Sequence, residues 1–252
     1  MSWCDKLAST PSVGIWFTDH YLSSARVIDS LSPILDRLVV DRKPKFSLNK
    51  QDTFSVEIGS EDGFQYVVTP SQISLGFAHR LKVRQVSGGP PTVDMLSQPK
   101  PYSELLPETC YKILQATSHV VDLKMRQLQR IGIVSTTVVS EDELPPGVRR
   151  LIDYAGRPWA SGLKYFDMQL VSTLTEASSY SDQCTHHISK PESSEEKLIT
   201  VRFDWQRQYA DGRAVTRDSL STELESCAKS ALKYFEELAI GDMFDENIIG
   251  AK

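Results

Sequence analysis

The sequence predicts an α+β protein built from two consecutive β-α-β-β-β-α units. Their strands join into one largely antiparallel sheet with the long helices packed on one face. Three observations carry this reading. Apolar residues alternate with a period of two in short segments separated by Gly, Pro and Asp-Gly turns. Two long segments repeat apolar residues at helical spacing, one closing each half. The order of segments from Ser12 to about Lys124 returns from Arg130 to about Ile240, which places the halves at 1–126 and 127–252 within one continuous domain.

In the first half, Val13, Ile15 and Phe17 alternate with Gly14 and Trp16 as a strand. Asp19 is the expected N-cap of a helix carrying Leu22, Ala25, Ile28, Leu31, Leu35 and Leu38, interrupted by Pro33, which cannot donate to the backbone ladder. Asp41 to Lys45 reads as a polar turn. Thr53 to Ile58, Phe64 to Thr69 and Gln72 to Val86 read as strands, the first two joined at Ser60-Glu61-Asp62-Gly63, whose Asp-Gly is a hairpin signal. Ser87 to Tyr102, rich in Gly, Pro and Ser, reads as a loop long enough to favour a surface contact role. A helix is expected from Ser103 or Glu104, with Pro107 in its first turn and Cys110, Ile113, Leu114, Thr117, Val120 and Val121 as its apolar stripe.

The second half opens on the β-branched run from Ile131 to Val139, then a short proline-led helix within Glu141 to Tyr154. Leu163 to Thr175, Gln183 to Ser189 and Leu198 to Trp205 alternate as strands. Ala177 to Asp182, the acidic Pro191 to Glu196 and Ala210-Asp211-Gly212 read as turns. Asp218 is the expected N-cap of a final helix with Leu220, Leu224, Cys227, Ala231, Phe235 and Leu238 on one face and Gly241 as its C-cap.

The formal charge of −5 and pI near 5.6 argue against broad binding to nucleic acid or anionic membrane. The four cysteines stand in no C-x-x-C pair and have no histidine at zinc-finger spacing, the usage expected in a reducing, cytoplasmic setting. No signal-peptide core and no run of apolar residues long enough to span a bilayer is present, so no membrane partner is expected.

No P-loop, dinucleotide fingerprint, nucleophile elbow or H-E-x-x-H occurs, and no catalytic residue or cofactor is expected. Arg80, Lys82 and Arg84 fall on one strand face, and Lys124, Arg126 and Arg130 form a second basic cluster. Such groups can hold phosphates, but a solvent-facing edge strand uses the same charges against aggregation, and cations at a helix C-terminus suit its dipole. Cys184, His186 and His187 are chemically competent metal ligands. Cys184 and His186 share a strand face, but no further ligands stand at recognised spacing, and a solvated edge hairpin with two surface histidines is the favoured explanation.

The hairpin GSEDGFQYVVTPSQISLGF (Gly59 to Phe77), the passage LQRIGIVSTTVV (Leu128 to Val139) and the closing KYFEELAI (Lys233 to Ile240) resemble, in this order, a sporadically distributed family of uncharacterised prokaryotic proteins. The resemblance spans nearly the whole chain and implies a mobile-element or defence setting and a partner-binding role. In topology alone the duplicated order is similar to the saddle of the TATA-binding protein, which establishes no function.

The leading expectation is a non-catalytic binding or assembly module acting through protein–protein contacts, as a homodimer or an adaptor. The alternatives are a nucleic-acid contact through the basic clusters, and a small-ligand binder or enzyme with a pocket between sheet and helices.

Overall fold

The computed structural model describes residues 3–6, 9–18, 23–40, 43–44, 46–51, 55–79, 81–84, 92–95, 100–156, 164–191 and 198–241. The first half contains α1 (Trp3–Lys6), β1 (Thr10–Phe17), α2 (Ser24–Leu35), β2 (Val39–Val40), β3 (Lys43–Pro44), β4 (Phe46–Gln51), β5 (Val56–Ser60), β6 (Phe64–Val68), β7 (Gln72–Phe77), β8 (Leu81–Arg84), β9 (Thr92–Met95) and α3 (Tyr102–Val120). The second contains β10 (Gln127–Ser140), α4 (Pro146–Gly156), β11 (Phe166–Glu176), β12 (Ser181–Lys190), β13 (Leu198–Ala214) and α5 (Arg217–Ile240).

Nine strands form one antiparallel sheet in the order β11-β12-β13-β10-β1-β7-β6-β5-β4, so the fold is α+β as the residue periodicity predicts. Alternation decides its two faces. Val13, Ile15, Phe17, Ile131, Ile133, Val201, Phe203 and Trp205 point to one side and are all at most 1% exposed. The long helices cover that side, α3 on β1 and β7 and α5 on β10 and β13, touching each other between. Their neighbours α2 and α4 flank them outward. Each Leu, Ile or Phe buried here contributes about 1.5–3 kcal/mol. The short α1 is fixed to this layer by Trp3, whose indole Nε1–H donates to the Phe235 carbonyl at 2.7 Å and whose ring meets Phe203 edge-on.

Several local expectations are met. Gly63 takes φ +99° in the hairpin between β5 and β6, its N–H reaching the Ser60 carbonyl at 3.2 Å. A Cβ there would come within 2.7 Å of the Ala78 carbonyl oxygen. Gly241 ends α5 in the left-handed region.

Other expectations give way to tertiary constraints. The strand from Gln72 stops at Phe77 because its partner β6 begins only at Phe64; the Ala78 N–H makes the last bond of that ladder, to the Gly63 carbonyl in the turn. Its expected continuation, β8, pairs instead with β9, so part of the predicted 87–102 loop is strand; 85–91 and 96–99 lie outside the described residues. Val39–Val40 pairs with Lys43–Pro44, so the predicted polar turn is flanked by a short ladder. Asp211-Gly212 does not end β13. The partner β10 is long enough to continue the ladder, pairing Arg130 with Gln208 and then Leu128 with Arg213, so 209–212 bulge opposite Gln129 with Gly212 at φ +72°.

Helix ends shift likewise. Thr216 rather than Asp218 caps α5, in a reciprocal capping box with Ser219. Helix α3 starts at Tyr102, which puts Pro107 in its second turn, and it ends at Val120 because the buried Val121 is already extended. The expected N-cap Asp19 lies outside the described residues; Ser23 caps α2.

One polar cluster interrupts the apolar layer. Asp182 of β12 and Arg207 of β13 are cross-strand partners facing the helices. Arg207 donates twice to Asp182, at 2.7 and 2.8 Å, and once to Glu223 of α5 at 2.9 Å. Glu223 also accepts from Tyr209 at 2.6 Å and Arg213 at 2.7 Å, and the Tyr180 ring stacks 4.1 Å from the guanidinium. Burial alone would raise the Glu223 carboxyl; the bonds from Tyr209 and Arg207 and the charge of Arg213 outweigh it and hold the group below its usual value.

Removing one partner of such a buried set costs about 3–5 kcal/mol, so Arg207→Met should lower stability in urea unfolding at pH 7 by that order. The pH slopes should oppose each other. The wild type keeps Glu223's contribution above about 4.5, its unfolded value, and loses it as pH falls further. Arg207→Met strands buried carboxylates that protonation relieves, so it gains relative stability on acidification. Equal stabilities at pH 7, or parallel slopes, would remove the network from this role.

Candidate functional site

With the helices gathered on one side, no helix of the described residues covers the opposite side of the sheet. Nine strands about 4.8 Å apart make it close to 40 Å wide. Alternation turns Ser12 and Trp16 of β1, Gln72 and Ser74 of β7, Arg130, Thr136 and Val138 of β10, and Arg202, Asp204, Gln206 and Gln208 of β13 toward it. Gln183, Thr185 and His187 of β12 extend the surface. Most of these side chains are uncharged and polar, and Val138 is 57% exposed.

A tryptophan–arginine stack occupies the centre. Trp16 and Arg130 face each other across the β1–β10 ladder, and the guanidinium carbon lies 3.8 Å from the indole centroid. The indole edge rests on Gly14 and Gly132, themselves a cross-strand pair. A Cβ at Gly14 would come within 2.5 Å of the Trp16 ring and one at Gly132 within 3.1 Å, so the glycines form its seat. Arg130 Nη1 donates to Gln206 Oε1 at 3.3 Å, and Gln206 Nε2 donates to Asp204 at 3.1 Å. Burial lowers the Arg130 guanidinium from its usual value against the pull of Asp204, and burial raises the Asp204 carboxyl. Among the described residues Arg130 makes no ion pair.

Beside the stack lies a cleft of about 700 Å³, lined by Trp16, Arg130, Glu176, Tyr180, Gln208 and Ala210 among others. The bulge at 209–212 opens it. Its cation, amides and hydroxyls suit a polar or anionic group presented by a partner.

The helix side holds a second concavity, about 680 Å³, between β11, β12 and α5, with His186 and Tyr234 in its wall. His186 Nδ1 lies 3.3 Å from the Leu170 carbonyl, which can only accept, so Nδ1 carries the proton and Nε2 accepts from the Tyr234 hydroxyl at 2.9 Å. Both ring nitrogens are satisfied. Burial lowers the His186 pKa, the Leu170 bond opposing, and pushes Tyr234 up to about 12.

The sequence-predicted residues disperse over these elements. Cys184 and His186 do share the inner face of β12, where burial also pushes the Cys184 thiol up. His187 points to the open face and bonds Asp167 at 2.5 Å. The three therefore do not converge, and among the described residues no group of three His, Cys, Asp or Glu is placed to hold a metal. Arg80 lies outside the described residues, and Lys82 and Arg84 belong to the separate β8–β9 ladder. Lys124 and Arg126 sit in the turn after α3, apart from Arg130 on the sheet. The Trp16–Arg130 pairing was not legible in the sequence, although Gly14-x-Trp16 and Arg130-x-Gly132 each place a glycine two residues from the large side chain, on the same strand face.

His186 yields a pH test. A folded pKa below the ordinary 6.5 makes its contribution complete above about 6.5 and diminishing as pH falls from there toward the folded value. Urea unfolding at pH 7 and pH 5.5 should show a loss that His186→Gln reduces; an unchanged slope would show the histidine is protonated equally in both states.

No family model matches the chain, and no curated protein is similar to it. The solved structure of a rolling circle replication initiator protein from Geobacillus stearothermophilus is similar over 88% of this chain and 78% of that one, at 6% identity and a TM-score of 0.27, a likeness that carries no argument about this chain.

Proposed function

We propose that the chain is a non-catalytic binding and assembly module that engages a protein partner through the uncovered face of its sheet. The observation that carries this reading is the face itself: broad, uncovered by helices, poor in charge and fixed at its centre by Trp16 and Arg130. Protein interfaces are depleted in charge at their cores and draw much of their energy from tryptophan and arginine. A phosphate-binding surface needs an excess of cations. Here Arg130 and Arg202 stand with Asp204 and Asp167, which favours a protein over a nucleic acid.

The tandem, saddle-like organisation belongs to the same proposal. Outward from the centre the second half runs β10-β13-β12-β11 and the first β1-β7-β6-β5-β4, so each half places its first strand centrally and its last strand of this sheet next, with β4 as an additional edge in the first. Each closing helix packs on the same two strands of its own half. Among the described residues no helix is long and apolar enough to cross a membrane. A cytoplasmic adaptor, in the mobile-element or defence setting implied by the sporadic prokaryotic family, fits these features.

Partners identified by proximity labelling in the native host would be bound in vitro by the wild type, by Trp16→Ala and Arg130→Gln, and by Tyr154→Glu on the helix side. The two face variants should weaken binding at least tenfold, the scale of an interface hot spot, with Tyr154→Glu unchanged. Equal affinity for all four proteins would overturn the reading.

A further inference from the structure

We propose that the free edge of β11 pairs antiparallel with β11 of a second copy, joining two sheets across a two-fold axis that passes by Leu170. The inference deepens the assembly reading by naming a second copy as one partner, at the strand edge that borders the open face, four strands from Trp16.

The two sheet edges differ. Strand β4 is only six residues long and is irregular between Leu48 and Lys50, close to its end, features that discourage pairing. Strand β11 runs for eleven residues and has no charge between Asp167 and Glu176. Apolar exposure collects there: Tyr165 is 46% exposed, Leu170 44% and Val171 60%, with Leu170 and Val171 on opposite faces. Among the described residues only β12 is hydrogen-bonded to this strand. A long edge without charge over 168–173 is a template for another strand.

Charge and symmetry select the partner and the register. In a two-fold pair centred on Leu170, position i meets position 340 − i. Leu170 then faces its own copy, Gln169 faces Val171, Met168 faces Ser172, and Asp167 faces Thr173. No like charges meet. Leu174 is the extra residue of the irregularity between Thr173 and Thr175, which ends the ladder at both ends; the exposed Lys164 and Glu176 stand just beyond those ends, where opposite charges of the two copies approach each other. Centring one residue to either side loses this match. The strand is thus complementary to itself, which is what a second copy requires.

Pairing also extends the apolar layer. Phe166, Met168 and Leu174 pack against the core from the inner side of β11, and Leu170 and Leu174 line the 680 Å³ groove. In the paired assembly the inner row of one copy meets the same row of the other.

Light scattering on the eluting chain should give a mass near twice 28.3 kDa that falls toward the monomer on dilution. Val171→Lys should raise the dissociation constant at least tenfold while circular dichroism stays unchanged. Lys164→Glu should weaken the dimer, and adding Glu176→Lys should restore it. Under mild oxidation Leu170→Cys should cross-link into a covalent dimer, since directly opposed Cβ atoms come within disulfide reach. Gln169→Cys, one step off the axis, should not. A chain still monomeric at about 100 µM, between the micromolar and millimolar marks of the affinity scale, would overturn the proposal. So would a dimer that survives Val171→Lys and cross-links at 169 rather than 170. Neither result touches the open face, whose partner binding Trp16→Ala reports separately.

Discussion

The antiparallel ladder between β1 and β10 joins the two halves, and most of the architecture is referred to it. It sets Gly14 against Gly132 and Trp16 against Arg130, so the contact between halves also builds the centre of the open face. On its other side Val13, Ile15, Ile131 and Ile133 are fully buried under the junction of α3 and α5. A one-residue slip would turn this row to solvent and Trp16 into the core. Both faces therefore enforce one register, the inner by apolar burial and the outer by the glycine seat.

The Asp182–Arg207–Glu223 cluster secures the second half differently. Hydrophobic contacts would hold α5 on the sheet with some freedom to slide. Three buried charges, each met by directed hydrogen bonds, define one position. Their net contribution to stability is small once desolvation is counted, whereas losing one member is costly. The cluster sits one strand from the edge and just behind the cleft: Arg207 stacks on Tyr180 and on its strand neighbour Trp205. The bulge that opens the cleft, at 209–212, carries Tyr209 back to Glu223. The shape of the outer surface thus depends on polar bonds made on the inner one.

The periodicities of the sequence carry the α+β class, the one-sided packing and the hairpin at Gly63, because each follows from local spacing. The same dipeptide chemistry misleads at Asp211-Gly212, where a positive φ serves a bulge: glycine permits the conformation, but only the neighbouring β10 decides whether the chain reverses. The candidate site was less legible for a related reason. Trp16 and Arg130 are more than a hundred residues apart, and Asp182 meets Arg207 only once register is known. His186 and Cys184 looked like ligands because their chemistry permits it. A carbonyl and a tyrosine hydroxyl satisfy the imidazole, and burial keeps the thiol protonated. Residue type marks what a group can do, and the ladder decides whom it meets.

One-sided packing leaves two kinds of surface, and they place different demands on the chain. The open face is wide but its backbone is already paired, so a partner must be recognised through side chains, and the glycine-seated indole supplies a rigid one at low entropic cost. The edge of β11 is narrow, and among the described residues no strand pairs with its outward backbone groups, so any extended segment is a potential partner and selectivity must come from the side chains flanking the ladder. Lys164 and Glu176 stand at those flanks with nothing charged between Asp167 and Glu176. Under the proposed function, a sheet whose β4 edge is short and irregular would divide recognition in two: side-chain readout across the face, and backbone readout, limited by charge at its ends, along β11.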